Sequence, residues 1–373
     1  MKALEKIAQF DTSTLKSLLV PIWESDEILG ETGIVIGEEG KVKLLGKPVP
    51  GTVIVKNIFN DVLFEEGIDY VVVGDSIQRV AGGDLPYFEV DDYFRKEPNA
   101  AIQLKTNAEK ADVPFEGERY VYFSEGVDCF EKYIAVSYKT TEKVAKGLIV
   151  RDNALQTFVE KLKTEKKMRV KFYGDSITVG CNATGTQYGS NVSPFTPNWI
   201  TLVKMYLEKE FGVEITAENH AVGGWGSIQG IDNFDEKCGD GLAETDMFCI
   251  GFGANDLHTP VEQFESNIVE MMDRYFAVNP QGTVLLYSTL LPNAGLIGWR
   301  VNQPLFEKVL LDIQARYERV GVAKVSTVFS TLEAGGKPTR DWLANSVNHP
   351  NDFGVRVYAQ TILSTLLGEK FCK

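Results

Sequence analysis

The sequence predicts two successive folds, an all-β sandwich of the jelly-roll type and then an α/β domain with a mostly parallel sheet. Short β-branched and aromatic runs fill the first 150 residues, whereas strand and helix patterns alternate after them. The length of 373 residues exceeds one typical domain and allows two sizeable cores. We call residues 1–150 the β half and residues 167–373 the α/β half, and we expect 151–166 to be a linker helix.

The β half is predicted from short strands that are separated by turn residues. The predicted strands cover 33–36, 42–45, 52–55, 70–73, 120–123 and 133–138. Turn pairs such as Glu39-Gly40 and Pro50-Gly51 stand between them. Many short strands with turns between them are typical of a β-sandwich or a jelly roll.

The α/β half is predicted from alternating periodicity. Apolar residues at helical spacing predict the linker helix at 154–163. The predicted strands then cover 170–173, 215–218, 247–251, 284–288 and 323–328, with helices at 197–211, 260–276, 304–317 and 353–367. Such alternation indicates a mostly parallel sheet covered on both faces, in which ligands bind outside the carboxyl ends of the strands.

Ser176 is the candidate nucleophile, because it lies in a sharp polar turn directly after the strand predicted at 170–173. The tetrapeptide Gly-Asp-Ser-Ile at 174–177 proves little alone, since the chain repeats it at 74–77. The earlier copy has apolar runs on both sides, which predicts a hairpin between two strands. Ser76 is therefore interpreted as a turn residue.

The next two strands of the α/β half also end in small and amide residues. Gly224 and Asn255 are expected at the same sheet edge, where a backbone N–H and a side-chain amide could point at a developing oxyanion. Gly223 and Gly226 are alternatives to Gly224. His349 lies on a polar loop before the last helix and could serve as the base.

These motifs, taken together, resemble the four sequence blocks of the SGNH (GDSL-type) hydrolase family. The matching segments, in order, are Gly174-Asp175-Ser176, Gly224, Gly253-x-Asn255-Asp256 and His349-Pro350. The resemblance covers about residues 165–373 and implies a flavodoxin-like three-layer α/β/α domain that hydrolyses an ester through an acyl-enzyme. It implies Ser176 as nucleophile and His349 as base. The implied oxyanion donors are the N–H groups of Ser176 and Gly224 and the amide of Asn255.

The chain departs from this family at one position. The family usually has an aspartate three residues before the histidine, and this chain has Ser346 there. A hydroxyl cannot supply the negative charge that stabilises an imidazolium. Some two-domain members resembling carbohydrate esterases use a Ser-His dyad whose histidine is held by a backbone carbonyl. By this resemblance we expect a main-chain oxygen near Ser346 or a polar neighbour outside the loop to orient His349. Asp341 and Asp352 have the wrong spacing for this role.

Other polar and aromatic residues lie near the predicted site. Trp225, Trp299 and Trp342 could contact a sugar ring, and packing is the alternative for each. Asp175 and Asp256 are expected to hydrogen-bond the loop backbone. The sequence has no His-x-x-x-His pattern for a catalytic zinc, so neither a metal nor another cofactor is expected.

Composition narrows the classes of partner. The net charge of -14 argues against nucleic acid and anionic membranes and favours a small neutral substrate. No run approaches 18 apolar residues, and no signal peptide is evident at the start. Five scattered cysteines indicate reduced thiols and a cytoplasmic protein. Homo-oligomerisation is left open.

The sequence therefore predicts a serine esterase that removes O-acetyl groups from small carbohydrates or oligosaccharides. The sugar follows from the resemblance and from the β half, which is a fold-level argument. One alternative is an acyltransferase or a lipid- or thioester-type acyl hydrolase with the same site. An alternative of another class is a catalytically dead carbohydrate-binding protein.

Overall fold

The computed structural model describes residues 10–111, 113–142, 144, 148–187, 189–369 and 371–372. Residues 1–6, on which the prediction about a signal peptide depends, lie outside this part, and the cytoplasmic location stays a prediction. The strands are β1 Glu27–Ile34, β2 Lys41–Lys43, β3 Ile54–Asn57, β4 Leu63–Phe64, β5 Tyr70–Val73, β6 Ser76–Arg79, β7 Phe94–Arg95, β8 Lys105–Asn107, β9 Glu118–Val121, β10 Tyr133–Lys139, β11 Lys167–Gly174, β12 Glu214–Asn219, β13 Met247–Gly251, β14 Thr283–Tyr287 and β15 Val320–Ala323.

Helices of the described residues flank or connect these strands. They are α1 Leu15–Leu18, α2 Val90–Tyr93, α3 Val127–Phe130, α4 Gln156–Thr164, α5 Ser176–Val179, α6 Trp199–Phe211, α7 Ser227–Asp232, α8 Phe234–Cys238, α9 Val261–Val278, α10 Gln303–Gln314, α11 Val325–Ala334 and α12 Asp352–Leu367, with 3-10 turns at Asn153–Leu155 and Thr339–Trp342. No helix in this part of the chain is long and apolar enough to cross a membrane. All five cysteines are free thiols.

The β half consists of antiparallel sheets, as predicted. Its strands lie in three small sheets with the orders β1-β10-β3-β4, β2-β6-β5 and β7-β9-β8. The hairpin predicted around Ser76 is present, because Val73 pairs with Ser76 across a two-residue loop. Gly74 has φ 65° in that loop, a conformation that glycine adopts at little cost.

The α/β half is built on a five-stranded parallel sheet in the order β12-β11-β13-β14-β15. All five residues of both β13 and β14 are buried, as expected for strands covered by helices on both faces. The chain leaves β11 on one side for β12 and returns on the other side as β13. This reversal of strand order marks the edge where ligands bind in such sheets, and Ser176 lies there, two residues after the end of β11.

One predicted strand of the α/β half is wrong. We expect a strand at 323–328, but β15 ends at Ala323 and α11 begins at Val325. The buried side chains of α11 include Val325, Val328, Phe329 and Leu332, whose spacing of three and four residues is helical. The β-branched residues at its start suggested a strand, and tertiary packing outweighed that local preference.

The two halves meet through a buried ionic cluster near the last helix. Lys337 Nζ lies 2.8 Å from Glu31 Oε1 of the β half and 3.1 Å from Asp341 Oδ2, and all three side chains are buried. The other carboxylate oxygen of Asp341 accepts a hydrogen bond from Ile34 N at 3.1 Å. Tyr133 Oη donates to the main-chain oxygens of residues 340 and 343. The β half therefore fixes the chain segment that leads to His349.

Candidate active site

Ser176 occupies a tight strand-to-helix turn. Asp175 is the N-cap of α5, and its Oδ1 accepts a hydrogen bond from Ile177 N at 3.0 Å. A Cβ on Gly174 would lie 2.3 Å from Gly251 O, so only glycine allows β11 and β13 to approach this closely. Gly180 ends the short helix with φ 92°. These contacts place Ser176 at the sheet edge, where only 5% of the residue is exposed to solvent.

His349 faces Ser176 across the edge of the sheet. Its Nε2 lies 2.8 Å from Ser176 Oγ, within reach of direct proton transfer. The loop that carries it is fixed by Asn345, whose Oδ1 accepts hydrogen bonds from the N–H groups of Val347, Asn348 and His349 at 3.0 to 3.1 Å. The imidazole is therefore presented by an ordered turn next to α12.

The other ring nitrogen of His349 has polar neighbours from outside its loop. Asn182 Oδ1 lies 2.6 Å from Nδ1, and Glu125 Oε2 lies 3.3 Å from it. The main-chain oxygen of Ser346 instead accepts a hydrogen bond from Asn293 Nδ2 at 2.9 Å. The sequence left two candidates for the group that orients His349, a main-chain oxygen near Ser346 and a polar neighbour outside the loop. The structure has the polar neighbour.

Neither nearby aspartate reaches His349. The Asp352 carboxylate accepts hydrogen bonds from the N–H of Thr184 at 2.9 Å and from its hydroxyl at 2.7 Å. Asp341 is occupied by Lys337 and the β half, as described above. The sequence correctly gave neither residue the orienting role.

The two motif aspartates hold loops together, as predicted. Besides capping α5, Asp175 accepts a hydrogen bond from Ala254 N at 3.3 Å. Burial raises the pKa of Asp175 to about 7, although these two backbone N–H groups favour the charged form. The Asp256 carboxylate accepts from Ser227 N at 2.9 and 3.0 Å and from its hydroxyl at 2.7 Å. Within the described residues, no group of three His, Cys, Asp or Glu side chains could hold a metal ion.

The expected oxyanion donors lie on two loops that are tied together. Asn255 Nδ2 donates a hydrogen bond to Trp225 O at 3.0 Å. This bond links the loop after β13 to the loop after β12, which contains Gly223 and Gly224 and which we call the glycine loop. Gly224 has φ 80° in that loop, which favours glycine. A Cβ on Gly223 would lie 3.8 Å from the Ser176 Cβ, so the glycine loop borders the serine. The roles of Gly224 and Asn255 as donors stay predictions.

The three tryptophans divide into one core residue and two partly exposed ones. The prediction of a sugar contact is wrong for Trp342, whose residue is 1% exposed and whose ring packs 5.7 Å from that of Phe329. The 3-10 turn at Thr339–Trp342 places it in the core and away from any surface. Trp225 and Trp299 are half-buried, and their contact with substrate stays a prediction.

The comparison with known families agrees with this geometry. Residues 172–357 match the GDSL-like lipase/acylhydrolase family. Residues 172–357 of the α/β half are a GDSL-like lipase/acylhydrolase domain. The match spans the segments that carry Ser176, Gly224, Asn255 and His349. No curated protein matches the chain significantly.

Solved structures similar to this GDSL-like protein include esterases and a lipase. A two-domain esterase active on acetylated mannans, co-crystallised with mannopentaose, matches with a TM-score of 0.45 and 21% identity, over 57% of this chain and 53% of that chain. The present chain thus spans about half the length of that esterase. An acetyl xylan esterase from Geobacillus stearothermophilus gives 0.43 and 16%, over 54% and 94%. A lipase from a goat rumen metagenome gives 0.42 and 16%, over 53% and 97%.

Proposed function

We propose that this GDSL-like protein is a serine esterase that hydrolyses O-acetyl esters of small carbohydrates or oligosaccharides. The observation that carries the proposal is the 2.8 Å contact between Ser176 Oγ and His349 Nε2 at the carboxyl edge of the parallel sheet. A serine hydroxyl is a weak nucleophile on its own and becomes effective when an adjacent base accepts its proton. The imidazole is held from its other side, which keeps Nε2 directed at the hydroxyl.

The chemistry follows from this pair. Ser176 Oγ attacks the acetyl carbonyl carbon while His349 Nε2 takes the hydroxyl proton. The N–H groups of Ser176 and Gly224 and the Asn255 amide stabilise the resulting oxyanion. Collapse breaks the bond to the sugar oxygen, which receives the proton from Nε2, and leaves acetyl-Ser176. Water then attacks this ester with His349 as base, and acetate is released.

The pair works without an aspartate at the usual family position. Ser346 occupies that position, is buried, and has a neutral hydroxyl, so it offers the imidazole no charge. Asn182 Oδ1 accepts a hydrogen bond from Nδ1, which fixes the tautomer that leaves the Nε2 lone pair free for the Ser176 proton. An amide oxygen can fix the tautomer, but it carries no net charge.

The proposed substrate class has its own support. A net charge of -14 disfavours anionic substrates and is compatible with neutral acetylated sugars. Trp225 and Trp299 are partly exposed aromatic residues of the kind that stack on sugar rings. The family match supports the ester hydrolysis, whereas the sugar is the finer part of the proposal.

The test is acyl release from a panel of esters. We expect release of acetate from p-nitrophenyl acetate and from acetylated xylo-oligosaccharides, with rates that fall as the acyl chain lengthens. A preference for long acyl chains or for transfer to an acceptor alcohol would contradict deacetylation and favour a lipid-type hydrolase or an acyltransferase. Glycan binding without any turnover would contradict the esterase and favour a binding protein.

A further inference from the structure

One residue of the β half reaches the active site. Glu125 lies in the loop between β9 and α3, 224 positions from His349 in the sequence. Its Oε2 lies 3.3 Å from His349 Nδ1, and its Oε1 accepts a hydrogen bond from Asn345 Nδ2 at 3.2 Å. Its main-chain oxygen accepts a hydrogen bond from Asn182 Nδ2 at 3.2 Å. These three contacts hold Glu125 against His349, Asn345 and Asn182.

The contacts give Glu125 two effects on His349. By accepting from Asn182 Nδ2, its main chain turns the amide so that Oδ1 points at the imidazole Nδ1. By accepting from Asn345, its carboxylate stays next to the loop that also fixes the His349 backbone. The first effect orients the ring, and the second places a negative charge beside it.

That charge is what the site otherwise lacks. When His349 takes the Ser176 proton, the imidazolium needs a nearby negative charge, and the Asn182 amide is neutral. Among the described residues, Glu125 is the carboxylate within ion-pair distance of His349. Partial burial opposes its ionisation, but the hydrogen bond and charge of His349 and the amide of Asn345 outweigh this and lower the pKa of Glu125. The carboxylate of Asp175 also interacts electrostatically with His349.

We propose that Glu125 is a positioning residue of the active site, which supplies through His349 the negative charge that the family usually takes from an aspartate in the histidine loop. The β half is then part of the catalytic site and is not merely attached to it. This inference depends on the proposed function for its effect on rate, but the placement of the charge does not. The side chain is half exposed, so its charge is partly screened.

The first test compares pH profiles of the full-length protein and its Glu125→Gln variant. We expect kcat to fall about tenfold or more with little change in KM. Because the protonated imidazole of His349 loses a nearby negative charge in this variant, we expect the acid limb of the kcat profile to move to lower pH. Glu131→Gln, an exposed glutamate in the same half, is the matched control and is expected to change neither quantity.

A rescue separates charge from local structure. Asn182 has φ 66°, a conformation that aspartate also tolerates, and its Oδ1 lies 2.6 Å from Nδ1. Adding Asn182→Asp to Glu125→Gln puts a carboxylate back beside the imidazole. We expect this double variant to recover most of the lost kcat and the original acid limb. A merely structural role for Glu125 predicts no recovery.

The second test is an NMR titration of the imidazole, which needs no turnover. The His349 signal is identified by its loss in His349→Gln, and its pKa is compared in the wild type and in Glu125→Gln. A lower pKa in the variant supports the inference, even if the wild type cleaves no ester and the proposed function fails. An unchanged pKa, or an unchanged kcat in an active enzyme, would overturn it.

Discussion

The same tetrapeptide, Gly-Asp-Ser-Ile, occurs twice in this chain and forms two different structures. At 74–77 the glycine and aspartate form the loop of an antiparallel hairpin, and the serine begins β6 opposite Val73. At 174–177 the glycine ends β11, the aspartate caps α5, and the serine is the first residue of that helix. Ser76 pairs with strands on both sides, β2 and β5, whereas in the second copy the strand pairing ends at Gly174, which pairs with Gly251 of the parallel strand β13.

The difference shows that four residues do not make a catalytic site. Ser76 Oγ lies 3.4 Å from the carboxylate of its neighbour Asp75, and that aspartate is paired with Lys43. Ser176 Oγ faces the Nε2 of His349 instead. We therefore expect reactivity at Ser176 and not at Ser76, because Ser176 lies at the end of a parallel strand and next to a histidine that the fold brings there.

The largest expected effect is on activity. Ser176→Ala should lower the rate of ester hydrolysis by about a thousandfold or more, because it removes the nucleophile. Ser76→Ala, the same change in the same tetrapeptide, should leave the rate unchanged. Both are measured as kcat/KM with p-nitrophenyl acetate. Equal losses in the two variants would remove the distinction between the copies.

The aspartates of the two copies, Asp75 and Asp175, should make the free energy of unfolding depend on pH with opposite signs. Burial raises the pKa of Asp175 to about 7, from an ordinary value of 3.8. Its protonated form therefore stabilises the fold below about pH 4, and this contribution is lost as the pH rises to 7. Relative to Asp175→Asn, the wild type should lose up to about 4 kcal/mol of unfolding free energy across this range.

Asp75 should behave in the opposite way and more weakly. The hydrogen bond from Lys43 lowers its pKa, so its contribution is present above the ordinary value of 3.8 and is lost as the pH falls through the lower folded value. Because both partners are well exposed to solvent, Asp75→Asn should cost about 0.5 kcal/mol at neutral pH. Chemical denaturation at several pH values measures both variants. Slopes of the same sign for Asp75 and Asp175 would contradict this assignment.

Alanine substitutions at Gly174 and Gly74 should show the smallest difference between the two copies. The loss of unfolding free energy has a different cause at each position. Gly174→Ala would bring a Cβ to within 2.3 Å of Gly251 O and 2.4 Å of Thr178 Oγ1, so the parallel strands must shift. We expect a loss of about 2 to 3 kcal/mol in unfolding free energy. Gly74→Ala meets no atom within 4 Å and strains only a positive φ, at about 1 kcal/mol. Thermal or urea unfolding of both variants measures these losses. A larger loss in Gly74→Ala than in Gly174→Ala would contradict the expected order.

Local periodicity explains why much of the fold could be predicted. Strands β5 and β13 begin and end where the sequence predicts, and α12 begins one residue earlier than predicted, because the apolar pattern of each segment is unambiguous. The failure at 323–328 came from β-branched residues whose helical spacing continues beyond the predicted strand. The sequence does not predict the burial of Trp342, because that burial comes from tertiary packing, which includes the contact with Phe329 of α11.

The contacts of His349 Nδ1 show what the sequence could not indicate. Asn182 lies shortly after α5. Its contact with His349 Nδ1 depends on a left-handed backbone conformation that no sequence motif predicts. Glu125 reaches the imidazole because the β half packs against the α/β half, where Glu31 also pairs with Lys337 in the segment that leads to His349. Such a contact depends on tertiary packing between two halves of the chain, and no local pattern records it.

We propose that the fold activates Ser176 through His349 and leaves Ser76 inert. The most direct measurement is labelling with a small organophosphonate that reacts covalently with activated serines, followed by intact mass and peptide mapping. We predict one adduct per chain, located on Ser176 and absent from the His349→Ala variant. An adduct on Ser76, or no adduct on a protein that hydrolyses esters, would contradict the claim.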